Sequence, residues 1–195
     1  MNTAKGPRPD SPRLVPVTEP APEVAEILDG AAVRGSGESP LNLFATLAHN
    51  PRMLRRFNQL GGSLLFRASI PDREREIVIL RVGWRARSVY EFGQHTVIGR
   101  RAGLTDAEIE ALASDSVPEG WSEDDGLLVA LADEICLNDC VSDETWAGLA
   151  QRWDSGQMVE LLVLAGFYRL VSGFLNSAGV ALDPGVPGWP ASARP

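Results

Sequence analysis

Two cysteines, two histidines, two tyrosines and a single lysine are all that the 195 residues hold of those types, and each shortage excludes something. Cys136 and Cys140 are too few for a disulfide framework and suit a reducing compartment, the cytoplasm. With only His49 and His95 in the chain, and no His/Cys cluster at ligand spacing, no metal site is expected. Residues 102 to 151 contain thirteen carboxylates and not one Lys or Arg, in a chain of net charge −8. That balance argues against a nucleic-acid surface. The first twenty residues carry Pro, Asp and Arg without an apolar run, so no secretory signal is expected. The most apolar stretch, 158 to 178, is interrupted by Glu160, Arg169 and Asn176. It reads as a buried core helix, not as a membrane span of ~20 residues.

What is there is helical punctuation. Pro51 and Pro71 occupy first-turn positions, Thr105 with Glu108 has capping-box spacing, and Ser122, Ser142 and Ser155 each precede apolar-periodic runs. Helices are predicted at 21–33, 40–49, 51–66, 72–85, 88–102, 105–114, 122–138, 143–153 and 155–178. No stretch alternates apolar and polar residues like a half-buried strand, and Ile77 to Val82 is flanked by helix formers. The fold class is therefore all-α, a single-domain helical bundle over 20–182. A flexible N-terminal tail (1–19) and a Pro-rich C-terminal tail (183–195) flank it, with Trp189 available to pin the latter.

Seven of the seventeen arginines fall between Arg73 and Arg101, a locally basic stretch in an acidic chain. Either they coat solvated helix faces, or one of them faces an anionic small molecule. Glu91 and His95 are four apart and share a helical face, which Ser88 joins from one turn earlier. If helices 72–85 and 88–102 pack as a pair, Glu76 approaches His95. A carboxylate, imidazole, carboxylate array results, able to move protons near neutral pH. The alternative is an ordinary helical Glu–His pair and an unrelated Glu76. Cys136 and Cys140 are four apart in an acidic surrounding that raises a thiol pKa, and read as core or helix-end residues. His49, just before Pro51, reads as a helix-end residue.

The run Leu43-Phe-Ala-Thr-Leu-Ala-His-Asn-Pro51, Arg75-Glu76, Tyr90-Glu-Phe-Gly-Gln-His95, Ala102-Gly-Leu104 and Glu108-Ile109 resembles the carboxymuconolactone decarboxylase family and its alkylhydroperoxidase D-like relatives. The resemblance spans residues 41 to 179. It implies a helical bundle of the alkylhydroperoxidase D-like type and a homo-oligomer, a trimer or a hexamer of trimers. In the thiol branch a Cys-x-x-Cys pair opens the helix that carries the His. Ser88 and Glu91 stand at those two positions, so the thiol chemistry of peroxide reduction is not expected.

The decarboxylase branch implies an enzyme without a cofactor, coupling proton transfer to decarboxylation or isomerisation of a small carboxylic acid or lactone. His95 would then be the proton donor or shuttle and Glu76 would orient it, with Glu91, Tyr90 and Ser88 toward the substrate. Arg73, Arg81 and Arg85 are candidates for gripping a carboxylate. Trp84, Phe92 and Phe44 either line the pocket or belong to the core. Two other functions stay open: an alkylhydroperoxidase-like antioxidant activity, and a non-catalytic oligomeric protein that binds a small molecule.

Overall fold

The computed structural model describes residues 8–30, 39–115 and 121–193. Among the described residues there are nine α-helices and no strand: α1 (Pro22–Leu28), α2 (Asn42–Leu47), α3 (Pro51–Phe66), α4 (Asp72–Arg85), α5 (Val89–Arg101), α6 (Asp106–Leu112), α7 (Glu123–Asn138), α8 (Asp143–Leu149) and α9 (Ser155–Ala178). The all-α bundle expected from the punctuation is what forms. Most ends are set by caps. Asn50, Ser122 and Ser142 accept the backbone N–H three residues on, and Thr105 and Asp154 form capping boxes with Glu108 and Gln157.

Several boundaries differ from the expectation. Pro51 opens its helix as predicted, whereas Pro71 is the N-cap and Asp72 the first helical residue. Asp154, not Ser155, caps the last helix. The segment 143–153 shortens to end at Leu149, where Arg152 and Trp153 both turn back to its carbonyl. The first helix ends at Leu28, and residues 31–33 of the predicted span lie outside the described residues.

Helix α4 is the axis of the bundle. Every residue from Arg75 to Trp84 is buried, which is why its apolar run has no polar stripe, and it packs on α5, α7 and α9. Helix α9, long and apolar enough to span a membrane, has half of that apolar stretch buried in the bundle. Between α4 and α5 the chain reverses through Ala86, Arg87 and Ser88, with Arg87 at φ 52 and its guanidinium 4.0 Å over the Trp84 ring. The reversal fixes the register of the pair. Across it, Glu76 on α4 and His95 on α5 come into contact.

Both predicted tails lie against the bundle where they are described. The N-terminal segment donates from Arg13 and Leu14 to the Ala178 carbonyl and from Val17 to that of Ala45. It crosses Gly179, the left-handed cap of α9, so closely that a Cβ there would meet the Ser11 carbonyl at 2.8 Å. At the other end, Trp189 packs on Trp84 and Phe92 with ring centroids 5.2 and 5.1 Å away. The strap crosses α5 at Gly93, where a Cβ would meet the Pro187 carbonyl at 2.2 Å. Any side chain at position 93 lifts the strap.

Candidate active site

The hairpin register delivers Glu76 from α4 to His95 on α5. His95 Nδ1 lies 2.6 Å from Glu76 Oε2, and Nε2 lies 3.2 Å from Glu91 Oε1, one turn back on the same helix. Glu76 is fully buried, while Glu91 and His95 are 3% and 5% exposed. On the far side of Glu76, Arg75 Nε donates to Oε1 at 3.1 Å and is itself paired with Asp72 at 2.7 Å. The order Arg75, Glu76, His95, Glu91 alternates in charge, so the buried row is neutral when all four are ionised.

The imidazole is the group most affected. Burial lowers its proton affinity, but the charge and hydrogen bond of Glu76, followed by Glu91, override burial and push His95 up to about 10. That raised proton affinity favours the imidazolium form of His95. An unpaired charge in that position would be costly to bury; the flanking acids make it tenable.

Glu91 and His95 open onto a cavity of about 310 Å³, walled mainly by apolar side chains from α2, α3, α5 and α9. Phe44 lines it, in edge-on contact with Phe57 at 6.2 Å between centroids. Tyr90 lines it as well. Its hydroxyl accepts from the Leu43 N–H at 3.2 Å and donates to Asp183, which also accepts from Gln94 at 2.6 Å and from the Asn42 N–H at 2.8 Å. Burial and the Asp183 hydrogen bond raise Tyr90 far above the usual phenol range, so it remains a neutral phenol. Asp183 thus ties the start of the C-terminal segment to the walls of the cavity.

Other candidates sit elsewhere. Arg73 braces three helices, with NH1 2.9 Å from Asp125 and NH2 2.5 Å from Glu108, and is not among the cavity-lining residues. Arg81 and Arg85 both fork onto Asp133 at 2.5–2.8 Å, and they too are spent on packing. No Arg or Lys lines the cavity among the described residues. Trp84 is core against Trp189, and Phe92 is fully buried in the same cluster. Ser88 is the buried N-cap of α5, but its hydroxyl caps nothing and has no hydrogen-bond partner. Cys136 is buried on α7, Cys140 is exposed just beyond it, and neither lines the cavity. His49 follows the end of α2, with its Nε2 2.8 Å from the Val15 carbonyl. Among the described residues no group of three His, Cys, Asp or Glu side chains is placed to hold a metal ion.

Sequence reasoning missed Asn58, Gln94, Tyr168 and Asp183. Asn58 lines the cavity with its side-chain oxygen buried and unbonded. Tyr168 stands perpendicular to His95 with ring centroids 5.0 Å apart. Asn58 and Tyr168 lie on helices whose apolar periodicity made them look like wall or core, and Asp183 lies in a segment read as tail.

The all-α bundle formed by the described residues is of the alkylhydroperoxidase D-like class of fold. Solved structures agree. An "alkylhydroperoxidase AhpD core: uncharacterized peroxidase-related protein" from Ralstonia eutropha JMP134 superposes with a TM-score of 0.76 at 17% identity, covering 88% of this chain and 92% of that one. An uncharacterized peroxidase-related protein from Silicibacter sp. TM1040 gives 0.75 at 14%, covering 97% and 98%. The debrominase Bmp8 gives 0.72 at 15%, covering 88% and 92%. No curated protein matches the sequence. The model of the carboxymuconolactone decarboxylase family matches residues 51–133, which include α3, α4, α5 and the whole proton array. The likeness to the carboxymuconolactone decarboxylase family thus lies on residues 51–133, a stretch that holds no cysteine.

Proposed function

We propose that the protein is an acid–base enzyme that moves a proton on a small, apolar, enolisable carbonyl compound such as a lactone, with Glu91 as the group that meets the substrate. The observation that carries this reading is that Glu91 and His95 line an apolar cavity while the fully buried Glu76 holds His95. Glu91 takes a proton from the carbon next to the carbonyl. The C–H electron pair moves into a C–C π bond, and the carbonyl oxygen becomes an enolate oxygen. In a substrate that carries a β,γ double bond, the same proton returns from Glu91 to the γ-carbon: the β,γ π pair forms the new C–H bond, the enolate π pair moves to the α,β position and the carbonyl re-forms, completing an isomerisation with no co-reactant. His95, held by Glu76, stands behind Glu91 and keeps a positive charge beside it throughout.

Decarboxylation of a carboxylate substrate is the less favoured variant, because the arginines once available to grip it are engaged with Asp125, Glu108 and Asp133. Hydroperoxide reduction through a vicinal thiol pair has no support at positions 88 and 91. That a debrominase of the same fold has been captured with 2,3,4-tribromopyrrole supports a flat, apolar occupant for such a cavity. Metabolite profiling of a deletion strain tests the reading. It is expected to reveal an accumulated neutral lactone or enone that the purified protein converts and the Glu91→Gln variant does not. Accumulation of a hydroperoxide, or conversion undiminished in Glu91→Gln, would overturn it.

A further inference from the structure

An enolate needs a hydrogen-bond donor at its oxygen, and neither Glu91 nor His95 is free to be one: Glu91 handles carbon's proton, and both imidazole nitrogens face carboxylates. We propose that Tyr168 supplies the donor, its phenol O–H binding the substrate's carbonyl oxygen and holding the enolate that forms there. This rests on the proton-transfer reading above and adds the group that reading lacks.

Tyr168 comes from α9, and it lines the cavity together with Glu91 and His95. The residue is 3% exposed. Its ring stands edge-on to His95, at an interplanar angle of 86° with centroids 5.0 Å apart. Its hydroxyl makes no hydrogen bond to any described residue, whereas the other tyrosine, Tyr90, is satisfied by Leu43 and Asp183. A buried tyrosine normally finds a partner for its hydroxyl. A cavity-lining hydroxyl with no partner among the described residues is available to a ligand. Burial, followed by the charges of Glu91 and Glu76, raises Tyr168 well above the usual phenol range, so the proton stays on oxygen.

Donors placed where negative charge develops are worth about a hundred- to a thousandfold in rate. The ligand class follows: a neutral molecule with a carbonyl oxygen next to an acidic C–H, flat enough for a cavity walled by Phe44, Phe57 and Phe167.

The test uses 1-tetralone, a flat enolisable ketone, and tetralin, the same skeleton without oxygen, with the full chain. In wild type the carbonyl stretching band of bound tetralone is expected at lower frequency than in an alkane solvent. In Tyr168→Phe the band returns to the alkane position, tetralone loses about tenfold in affinity, the worth of one hydrogen bond, and tetralin binding is unchanged. If Tyr168→Phe does not fold, 3,5-difluorotyrosine at position 168 replaces it: a more acidic phenol donates more strongly and lowers the band further. An unshifted band in wild type, a shift retained in Tyr168→Phe, a band unmoved by the fluorinated residue, or no tetralone binding to folded wild type would overturn the assignment. Hydrogen–deuterium exchange at the tetralone α-carbon, followed in parallel, separates the two proposals. Exchange without a band shift sinks the Tyr168 role alone, and a band shift without exchange sinks the Glu91 role alone.

Discussion

Replacing Glu76 by Gln removes the charge that holds His95 protonated while keeping the volume and one acceptor oxygen. The rise from the ordinary imidazole value of 6.5 to about 10 is a net effect in which burial opposes the two flanking acids, so the acids supply more than the rise itself shows. Truncating one partner of a buried ion pair costs about 3–5 kcal/mol. Gln still hydrogen-bonds Arg75 or His95 and Glu91 remains, so about 3 kcal/mol is expected. That is a large part of the 5–15 kcal/mol typical of a domain, yet the variant should stay folded. With a urea slope of ~2 kcal/mol/M the midpoint should fall by ~1.5 M. Burial then dominates at His95, which should titrate near or below neutrality in nitrogen-edited NMR spectra, with His49 replaced for assignment. An unchanged urea midpoint together with an imidazole still protonated at pH 8 would refute the charge-row account.

Stability should depend on pH in a way set by the same groups. His95 binds its proton more tightly folded than unfolded, so its contribution is complete below about pH 6.5 and is lost as pH rises through about 10. Asp133 behaves oppositely: burial raises its carboxyl, but Arg85 and Arg81 hold it below the usual range, and its contribution is lost on acidification below about pH 4. Thermal melts should therefore peak between about pH 5 and 6.5, and a maximum above pH 8 would contradict this. Gly93→Ala should displace the strap at Pro187, exposing Trp189, seen as a red shift of tryptophan emission with a loss of about 1–3 kcal/mol. Replacing Cys136 and Cys140 by Ser should leave turnover unchanged and cost only stability, checked by activity assays on folded double mutant. Val159, Val163 and Leu170 lie exposed on α9, so light scattering at micromolar concentration is expected to show an oligomer larger than 21.0 kDa.

Fold and triad were legible in the sequence for local reasons. Caps such as Thr105–Glu108 act within one turn, and Glu91 and His95 are tied by helical spacing alone. Glu76 needed one tertiary assumption, the antiparallel pairing of α4 and α5, which the reversal through Ala86, Arg87 and Ser88 supplies. The arginines failed as ligands because nothing local distinguishes a guanidinium facing a cavity from one facing Asp125 or Asp133, both 52 residues away in sequence. Tyr168 and Asp183 were invisible for the same reason. Their partners lie on α5, and the Pro-rich composition after Gly179 gives no hint that Asp183 returns to Tyr90 and Gln94.

The claim that Glu91 exchanges protons with carbon, backed by His95, is tested most directly by α-carbon hydrogen–deuterium exchange of 1-tetralone in deuterated buffer. Wild type, Glu91→Gln and His95→Ala are compared, each shown to be folded. The account predicts exchange well above the buffer rate in wild type and a loss of about a hundredfold or more in each variant. Equal exchange in all three would contradict it.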